Sequence, residues 1–239
     1  MMSDPWQSID MGPGVRALQT ERAPGPLPYG GFNLGLHVGD EVSRVTANRA
    51  RLSEFFGVEP IFANQVHGVH LAEVSAAGHS PGDADALLTR MPGVAIGMLT
   101  ADCLPVLFRT KHAIAVAHAG WRGLVGGVLE SVVTALGDVS SARVWLGPCI
   151  GHEAFEVGPE VVAAFVGKWP EVHACFAPSE RPEHAYADLR QIATIVLTQH
   201  GIQAVTSSCD CTYEDPERWY SFRRDGVTGR MASALMLTG

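Results

Sequence analysis

The stretch VAIGMLTADCLPVLFRTKHAIAVAHA, residues 94–119, decides the fold. It contains three mainly apolar runs of strand length, over residues 94–101, 104–110 and 113–119, and each includes β-branched residues. The runs are continuous rather than alternating, which is typical of strands that are covered on both faces. The sequence therefore predicts sheets that are buried between other layers.

Two ionisable residues interrupt this stretch. Asp102 and Cys103 are the only residues between Met98 and Phe108 that ionise near neutral pH. A free cysteine behaves as a small hydrophobic residue and is buried at little cost. Burial of an aspartate costs several kcal/mol unless the acid is paired or liganded. An aspartate at this position therefore needs a partner.

The elements on either side of this stretch occur in mixed order. Helical spacing of apolar residues predicts helices, with Asp40 and Asp188 as N-caps and Gly57 and Gly201 as ends. The predicted helices cover residues 41–57, 123–137, 158–166 and 188–201, and further strands cover 60–66, 69–74, 85–89 and 143–149. This order predicts an α/β (α+β) fold: one domain over residues 1–239, built on mixed β-sheets covered by helices, with residues 1–14 mobile.

Composition excludes several classes of function. The formal charge is −8 and the pI about 5.6, whereas binding to nucleic acid or to an anionic membrane needs clustered Lys and Arg. No run approaches the roughly 18 apolar residues that span a bilayer, and the first residues lack the pattern of a secretory signal. Five cysteines, an odd number, do not indicate a disulfide framework. We expect a cytoplasmic protein with reduced thiols.

Three residues lie where apolar strands end and are suited to binding a metal ion. They are His67 in ANQVHG, Cys103 in TADCLPV and His118 in AIAVAHAG. Two histidines and one cysteine form a known ligand set for catalytic zinc, and copper accepts the same set. The separations of 36 and 15 residues match no zinc finger, so a buried thiol with two hydrogen-bonded histidines remains the alternative.

Other histidines and cysteines are weaker candidates. His70 competes with His67, but in a continuous strand their side chains point to opposite faces. We interpret the thiols of Cys149, Cys175 and the CDC pair at 209–211 as structural. The histidines near turns and element ends need no functional explanation; these are His37, His79, His112, His173, His184 and His200.

The glycine-rich segment HAGWRGLVGG, residues 118–127, follows a strand and begins a helix. Backbone N–H groups at such a turn favour anions, and Arg122 would add a bidentate contact to a phosphate or a carboxylate. The alternative is a tight turn whose glycines adopt positive φ. The segment matches neither the P-loop nor the dinucleotide fingerprint.

Several longer motifs, in order along the chain, resemble one known family. They are GGFNLGLHVGD (30–40), ANRARL (47–52), NQVHG (64–68), DADALLT (83–89), TADCLPVL (100–107), AHAGWRGL (117–124), GPCIGHEAFEVGPEV (147–161) and DCTYEDPERWYSFRRDGVTGRMASALML (210–237). The chain resembles the YfiH family, also called the laccase-domain, multicopper polyphenol oxidoreductase or peptidoglycan editing factor family. The resemblance extends from about Val15 to Leu237.

The resemblance implies a fold and a metal site. It implies a single α/β domain similar to a cysteine-deamidase toxin domain. It also implies that His67, Cys103 and His118 bind a metal, usually zinc. Family members have been described as copper-dependent phenol oxidases, as purine nucleoside phosphorylases that also deaminate adenosine, and as editors of peptidoglycan precursors.

The residues help to choose among these activities. Multicopper catalysis needs several copper sites, and one ligand set is evident. We expect a zinc-dependent purine nucleoside phosphorylase for adenosine, inosine, guanosine and S-methyl-5′-thioadenosine, with adenosine deaminase activity. Phosphate would be bound by Arg122, by the 120–127 turn, or by Arg223 or Arg224, and Asp102 would orient a ligand or accept a proton.

Alternative functions remain open. One is a cell-wall-precursor hydrolase in which Cys103 is the nucleophile and a histidine the base. Others are a copper-dependent polyphenol oxidase and a metal-binding protein without catalytic activity.

Overall fold

The computed structural model describes residues 4–239. The strands are β1 (Trp6–Ser8), β2 (Val15–Thr20), β3 (Ile61–Phe62), β4 (Leu71–Glu73), β5 (Ala86–Thr89), β6 (Ala95–Thr100), β7 (Leu104–Arg109), β8 (Ile114–Ala119), β9 (Arg143–Leu146), β10 (Glu156–Val157), β11 (Phe176–Pro178), β12 (Ala185–Ala187), β13 (Ala204–Ser207) and β14 (Met231–Leu237). The helices are α1 (Val42–Phe56), α2 (Trp121–Gly126), α3 (Val128–Leu136), α4 (Pro159–Lys168), α5 (Leu189–Gln199) and α6 (Phe222–Asp225), with a 3-10 helix at Pro170–Cys175.

Two mixed sheets form the centre of the molecule. One has five strands in the order β1-β2-β14-β6-β3, and the other has six in the order β13-β9-β7-β8-β5-β4. A three-stranded sheet, β10-β12-β11, lies beside them. Both large sheets contain parallel and antiparallel pairs, so the predicted mixed α/β single domain is confirmed.

The two large sheets pack face to face and helices cover their outer faces. Ile96 and Leu235 of the five-stranded sheet share an apolar cluster with Leu107 and Val116 of the six-stranded sheet. Helices α3, α4 and α5 cover the other face of the six-stranded sheet, and α1 covers the other face of the five-stranded sheet. Every residue of β6 and β8 is buried. The continuous apolar pattern therefore predicted the coverage of these strands correctly.

The structure corrects several local predictions. Residues 1–14 were expected to be mobile, but strand β1 at residues 6–8 pairs with β2. Trp6 anchors β1, because its ring packs 5.8 Å from that of Phe32, and no apolar periodicity in so short a run predicts this contact. Residues 1–3 lie outside the described residues. Strand 60–66 shortens to Ile61–Phe62.

The helix boundaries were predicted with mixed success. Gly57 ends α1 with φ of 74°, and the Asp188 side chain caps α5 by accepting from the backbone N–H of Gln191, both as predicted. Asp40 is not the N-cap of α1, which is Glu41. The helix predicted over 123–137 is two helices, because Gly127 adopts φ of 108° between them.

All five cysteines are free thiols in the structure. Within residues 4–239, every helix is too short or too polar to cross a bilayer.

Candidate metal centre and its cavity

The structure brings His67, Cys103 and His118 together at one end of the six-stranded sheet. His67 lies in a turn after β3 with φ of 59°, Cys103 precedes β7, and His118 is near the end of β8. The antiparallel register of β7 and β8 places Leu104 opposite Ala119, so Cys103 comes next to the end of β8. One nitrogen of each histidine and the cysteine sulfur all lie within 4.8 Å of one another.

The geometry of the three groups suits one metal ion. The Cys103 Sγ lies 3.8 Å from the His67 Nε2, and the two imidazole rings are 4.7 Å apart with their planes at 74°. Tetrahedral zinc, with bonds of about 2.3 Å to sulfur and 2.0–2.1 Å to nitrogen, would separate such a pair by about 3.6 Å. The donor atoms therefore fit a metal ion with little rearrangement.

Asp85 connects the two histidines, and the sequence analysis missed this role. The carboxylate is fully buried at the start of β5 and accepts the backbone N–H groups of Val66, His67 and Gly68 at 3.1, 3.0 and 2.7 Å. It also accepts from the His118 Nδ1 at 2.8 Å. Since Nδ1 donates to this carboxylate, the Nε2 of neutral His118 has its lone pair free for a metal. One buried acid thus fixes the backbone of one ligand and the ring of another.

The absence of a side chain at Gly120 makes room for the cluster. A Cβ atom at this position would lie 2.9 Å from the Cys103 Sγ and 3.1 Å from the His67 ring. In the next helix, a Cβ at Gly123 would lie 2.8 Å from the carbonyl oxygen of Gly68, and one at Gly126 would lie 2.8 Å from Val69. These glycines therefore allow α2 to pack closely against the turn that carries His67.

The charges of the cluster reinforce one another. Burial opposes ionisation of the Cys103 thiol, yet the neighbouring His118 and His67 lower its pKa to about 6. Burial disfavours a charged imidazole, yet Cys103 and Asp85 raise the pKa of His118 to about 9. Burial would raise the pKa of Asp85, but its hydrogen bonds from His118 and Gly68 hold it below the usual value. Without metal, a thiolate therefore faces an imidazolium at neutral pH.

The cluster lies in the wall of a cavity of about 370 Å³. This volume is within the range of small-molecule sites. Trp121, Ile150 and Phe155 provide apolar wall, while His37 and the two arginines at 223 and 230 provide polar wall. His118 is buried and His67 is exposed, so the cluster extends from the interior to the surface of the cavity wall.

Asp102 holds neighbouring segments of the cavity wall together. Asp102 adopts φ of 92° in a bend between β6 and β7. The chain therefore does not continue as a strand at this position, although the apolar pattern would suggest one. One carboxylate oxygen accepts from the Thr212 hydroxyl and the other from the backbone N–H of Arg223, each at 2.7 Å. Its carbonyl accepts from the Ile150 N–H at 2.9 Å. The predicted need for a partner is confirmed, but the partners are wall segments and not the metal ligands.

Arg122 does not reach the cavity. Its side chain is exposed and its guanidinium lies over the Trp121 ring at 4.3 Å. Of the turn glycines, only Gly127 adopts positive φ. The contacts of Arg224 are structural, because its guanidinium donates to the carbonyls of Thr212 and Trp219.

The weaker candidates lie outside the cluster. His70 is exposed and its carbonyl accepts from the N–H of Asp85. The Cys211 sulfur accepts from the Gly151 N–H at 3.1 Å, and Cys149 is buried. Within residues 4–239, the His67, Cys103 and His118 set is the one group of three or more potential ligands.

Sequence reasoning also missed His37 and Arg230 as cavity residues. His37 was treated as an ordinary turn histidine. Neither residue carries a local signal for this role, because the loop after β2 and the segment before β14 meet only in the folded chain.

The fold and the site together define a class: an α/β domain of two packed mixed sheets with one set of soft metal ligands in a small-molecule cavity. Comparison with known proteins agrees with this class. Residues 16–238 match the family described as multi-copper polyphenol oxidoreductase laccase. A purine nucleoside phosphorylase of Pseudomonas aeruginosa is 46% identical over 228 residues, covering 93% of each chain. The purine nucleoside phosphorylase YfiH of Escherichia coli is 39% identical, covering 94% of each chain.

Solved structures show the same architecture. The crystal structure of a Neisseria meningitidis protein superposes with a TM-score of 0.91 at 37% identity, covering 99% of this chain and 100% of the other. The YfiH protein of Bacillus licheniformis superposes with a TM-score of 0.92 at 26% identity, covering 99% and 97%. This chain belongs to the multi-copper polyphenol oxidoreductase laccase family, which includes the YfiH proteins.

Proposed function

We propose that the protein is a zinc-dependent purine nucleoside phosphorylase that also deaminates adenosine. The observation that carries the proposal is a single set of two histidines and a cysteine in a cavity of about 370 Å³. The relatives named as purine nucleoside phosphorylases support it, because they match this chain over more than nine-tenths of its length.

Zinc fits the donor set better than a multicopper centre. One sulfur and two imidazole nitrogens leave a fourth position for substrate, as in catalytic zinc sites. Electron transfer to oxygen needs several coppers, and residues 4–239 offer one ligand cluster. Bound zinc would act as a Lewis acid, which offsets negative charge on a purine substrate and activates water for deamination.

The residues of the chain position the substrate and the ligands. Trp121 and Phe155 provide aromatic surface against which a purine base packs, and such contacts exclude water from the ligand side of the cavity. Asp85 holds the His118 ring in the tautomer that presents Nε2. Preorganised groups of this kind reduce the reorganisation that the reaction requires.

A phosphate-dependence assay tests the proposal. Purified protein, with its metal content measured, is incubated with adenosine or inosine with and without phosphate. We expect free base and ribose 1-phosphate only with phosphate, inosine from adenosine without it, and loss of both activities in Cys103→Ala. Cys149→Ala, which removes a buried thiol outside the cluster, should remain active. Failure of the zinc-loaded protein to turn over any purine nucleoside contradicts the proposal.

A second function, amide hydrolysis, is favoured by the arrangement of Cys103, His118 and Asp85 at the same site. The Cys103 thiol, the His118 imidazole and the Asp85 carboxylate follow one another as nucleophile, base and orienting acid do in acyl transfer. Such a set would hydrolyse an amide in an aminoacylated cell-wall precursor. A covalent adduct of substrate on Cys103 in the metal-free protein supports this function, and it contradicts a role limited to zinc binding.

The cytoplasmic location proposed for the protein agrees with its five free thiols.

A further inference from the structure

Two arginines in the cavity wall are not paired with acids. Arg223 and Arg230 line the cavity that holds the metal ligands. Within residues 4–239, neither guanidinium forms an ion pair with a carboxylate, whereas six other arginines do. The chain carries 25 acidic against 17 basic residues, so acids are abundant. Two arginines that have no acidic partner and line the same cavity indicate that an anion from outside the chain binds there.

The Arg230 guanidinium has an unused edge. Its Nη1 donates to the carbonyl oxygens of Thr228 and Gly229 at 3.1 and 2.9 Å. In the described part of the chain, its Nε and Nη2 donate to no protein acceptor. These two nitrogens form the planar fork that binds two oxygens of a phosphate. Burial lowers the pKa of Arg230, while the charges of Cys103 and Asp102 raise it.

The backbone at Arg230 is fixed by the loop that follows β2. Its N–H donates to the Asn33 Oδ1 at 2.8 Å, and its carbonyl accepts from the Leu34 N–H at 3.1 Å. A Cβ at Gly35 would lie 2.8 Å from the Arg230 Cγ, so the glycine gives the arginine stem its space. Fixed side chains lose less entropy when they bind, which favours this arginine as a binding group.

The position of Arg223 is tied to the metal cluster. Its backbone N–H donates to Asp102, the residue before Cys103, at 2.7 Å. Its Nη1 donates to the Glu156 carbonyl at 3.0 Å, and the guanidinium lies 5.4 Å from the centre of the Phe155 ring. Its other guanidinium nitrogens have no hydrogen-bond acceptor within residues 4–239 and can meet an anion in the cavity.

His37 completes the polar wall. It lies on the same loop as Gly35 and lines the cavity. Burial and the charges of Arg230 and Arg49 lower its pKa, which favours the neutral imidazole. A neutral imidazole offers a hydrogen bond to a phosphate oxygen without adding a third positive charge.

We infer that Arg230 and Arg223, with His37, form the subsite for inorganic phosphate, on the polar wall of the cavity that contains His67, Cys103 and His118. The assignment rests on the proposed phosphorolysis. In that reaction, a phosphate oxygen forms a bond to C1′ of the ribose while the bond from C1′ to the purine N9 breaks. The electron pair of the broken bond goes to the purine, which takes the proton that hydrogen phosphate gives up. The two guanidiniums hold the phosphate and its sugar-phosphate product.

Steady-state kinetics with phosphate as the varied substrate test the assignment. We expect Arg230→Gln and Arg223→Gln each to raise the KM for phosphate at least about tenfold, with a smaller change in the KM for inosine. Arg230→Lys keeps the charge but loses the fork, and should lie between wild type and Arg230→Gln. Arg90→Gln is the matched control, because Arg90 is an exposed arginine that pairs with Glu73 outside the cavity. If Arg230→Gln fails to fold, Arg223→Gln still tests the assignment, because Arg223 is exposed and its substitution leaves the core intact.

Direct binding separates this assignment from the proposed activity. Calorimetric titration with inorganic phosphate should show one site in wild type and in Arg90→Gln, and none in Arg230→Gln or Arg223→Gln. If wild type binds phosphate in this way but does not phosphorolyse nucleosides, the anion subsite stands and the proposed function fails. If wild type phosphorolyses and both cavity variants keep its KM for phosphate, the assignment is wrong. An increased KM in Arg122→Gln alone would place the phosphate at the 120–127 turn and also overturn it.

Discussion

Cys103 and Cys149 are the same residue type in very different electrostatic surroundings. Two imidazoles lower the pKa of Cys103 to about 6 in spite of burial, whereas burial raises the pKa of Cys149 to about 12, although Arg190 acts against it. Cys149 donates to the Ile150 carbonyl and belongs to the apolar core under the six-stranded sheet. Burial acts to raise the pKa of both thiols, so the difference between them comes from the two imidazoles that face Cys103 and have no counterpart at Cys149.

The largest expected effect separates the two cysteines by function. Cys103→Ala removes a proposed metal ligand, so we expect zinc binding and nucleoside turnover each to fall more than about 100-fold. Cys149→Ala should keep both and should lower the free energy of unfolding by about 1 kcal/mol, as for small buried side chains. Metal content, turnover and urea unfolding of the two variants check this, and loss of zinc from Cys149→Ala alone would reverse the comparison.

Alkylation measures the pKa difference directly. In chelator-treated protein, Cys103 should react with iodoacetamide at a rate that falls as the pH drops through about 6 and levels off above about 7, because a lowered pKa keeps the thiolate present down to that pH. Cys149 should stay unmodified to pH 9, since its pKa is about 12. At pH 7 we expect a difference of at least about 100-fold by peptide mass spectrometry. Added zinc should protect Cys103, and a midpoint near pH 9 for Cys103 would refute the expectation.

Asp85 acts on Cys103 through His118. Asp85→Asn removes the charge that orients the His118 ring, so zinc affinity and activity should fall about 10- to 100-fold. Asp102→Asn is the matched control for zinc binding, because Asp102 holds Thr212 and Arg223 rather than a ligand, and Asn tolerates its positive φ. Competition with a chromophoric zinc chelator measures both affinities, and equal losses in the two variants would contradict the separate roles.

The smallest expected effect compares two glycines. A Cβ at Gly120 would lie 2.9 Å from the Cys103 Sγ, and one at Gly151 would lie 2.9 Å from the Cys211 Sγ. Gly120→Ala should weaken zinc binding by up to about tenfold by displacing a ligand. Gly151→Ala crowds a thiol outside the cluster, so it should lower the melting temperature without changing zinc affinity. The same competition assay with thermal unfolding checks the pair, and an unchanged zinc affinity in Gly120→Ala would show that the cluster adapts.

Much of the fold can be predicted from the sequence because its apolar patterns extend over long segments. The run over residues 94–119 predicts three buried strands, and the apolar stripes predict α1 and α5. The break at Gly127 does not follow, because an isolated glycine is tolerated within a helical pattern and tertiary packing decides its conformation. Strand order does not follow either, because it depends on contacts between distant segments.

The residues of the candidate site also fall into two groups: those that the sequence identifies and those that it does not. His67, Cys103 and His118 are identified from strand ends, since ligand chemistry is visible in a residue type and its place. Asp85 is missed, although an acid directly before the apolar run Ala86–Leu88 is as unusual as Asp102. Arg230 is missed because nothing local distinguishes it from a surface arginine, and only the pairing of β14 brings it to the cavity.

The position of β14 has a consequence for the order of folding. This strand is the last along the chain, yet it lies between β2 and β6, and it is antiparallel to both. The five-stranded sheet therefore cannot close until residues 231–237 have left the ribosome. The three candidate metal ligands all precede residue 119, so they are synthesised earlier. Pairing of β14 with β2 and β6 then brings Arg230 to the cavity, so this arginine joins the cavity wall only after the segments that carry the three candidate ligands have been synthesised.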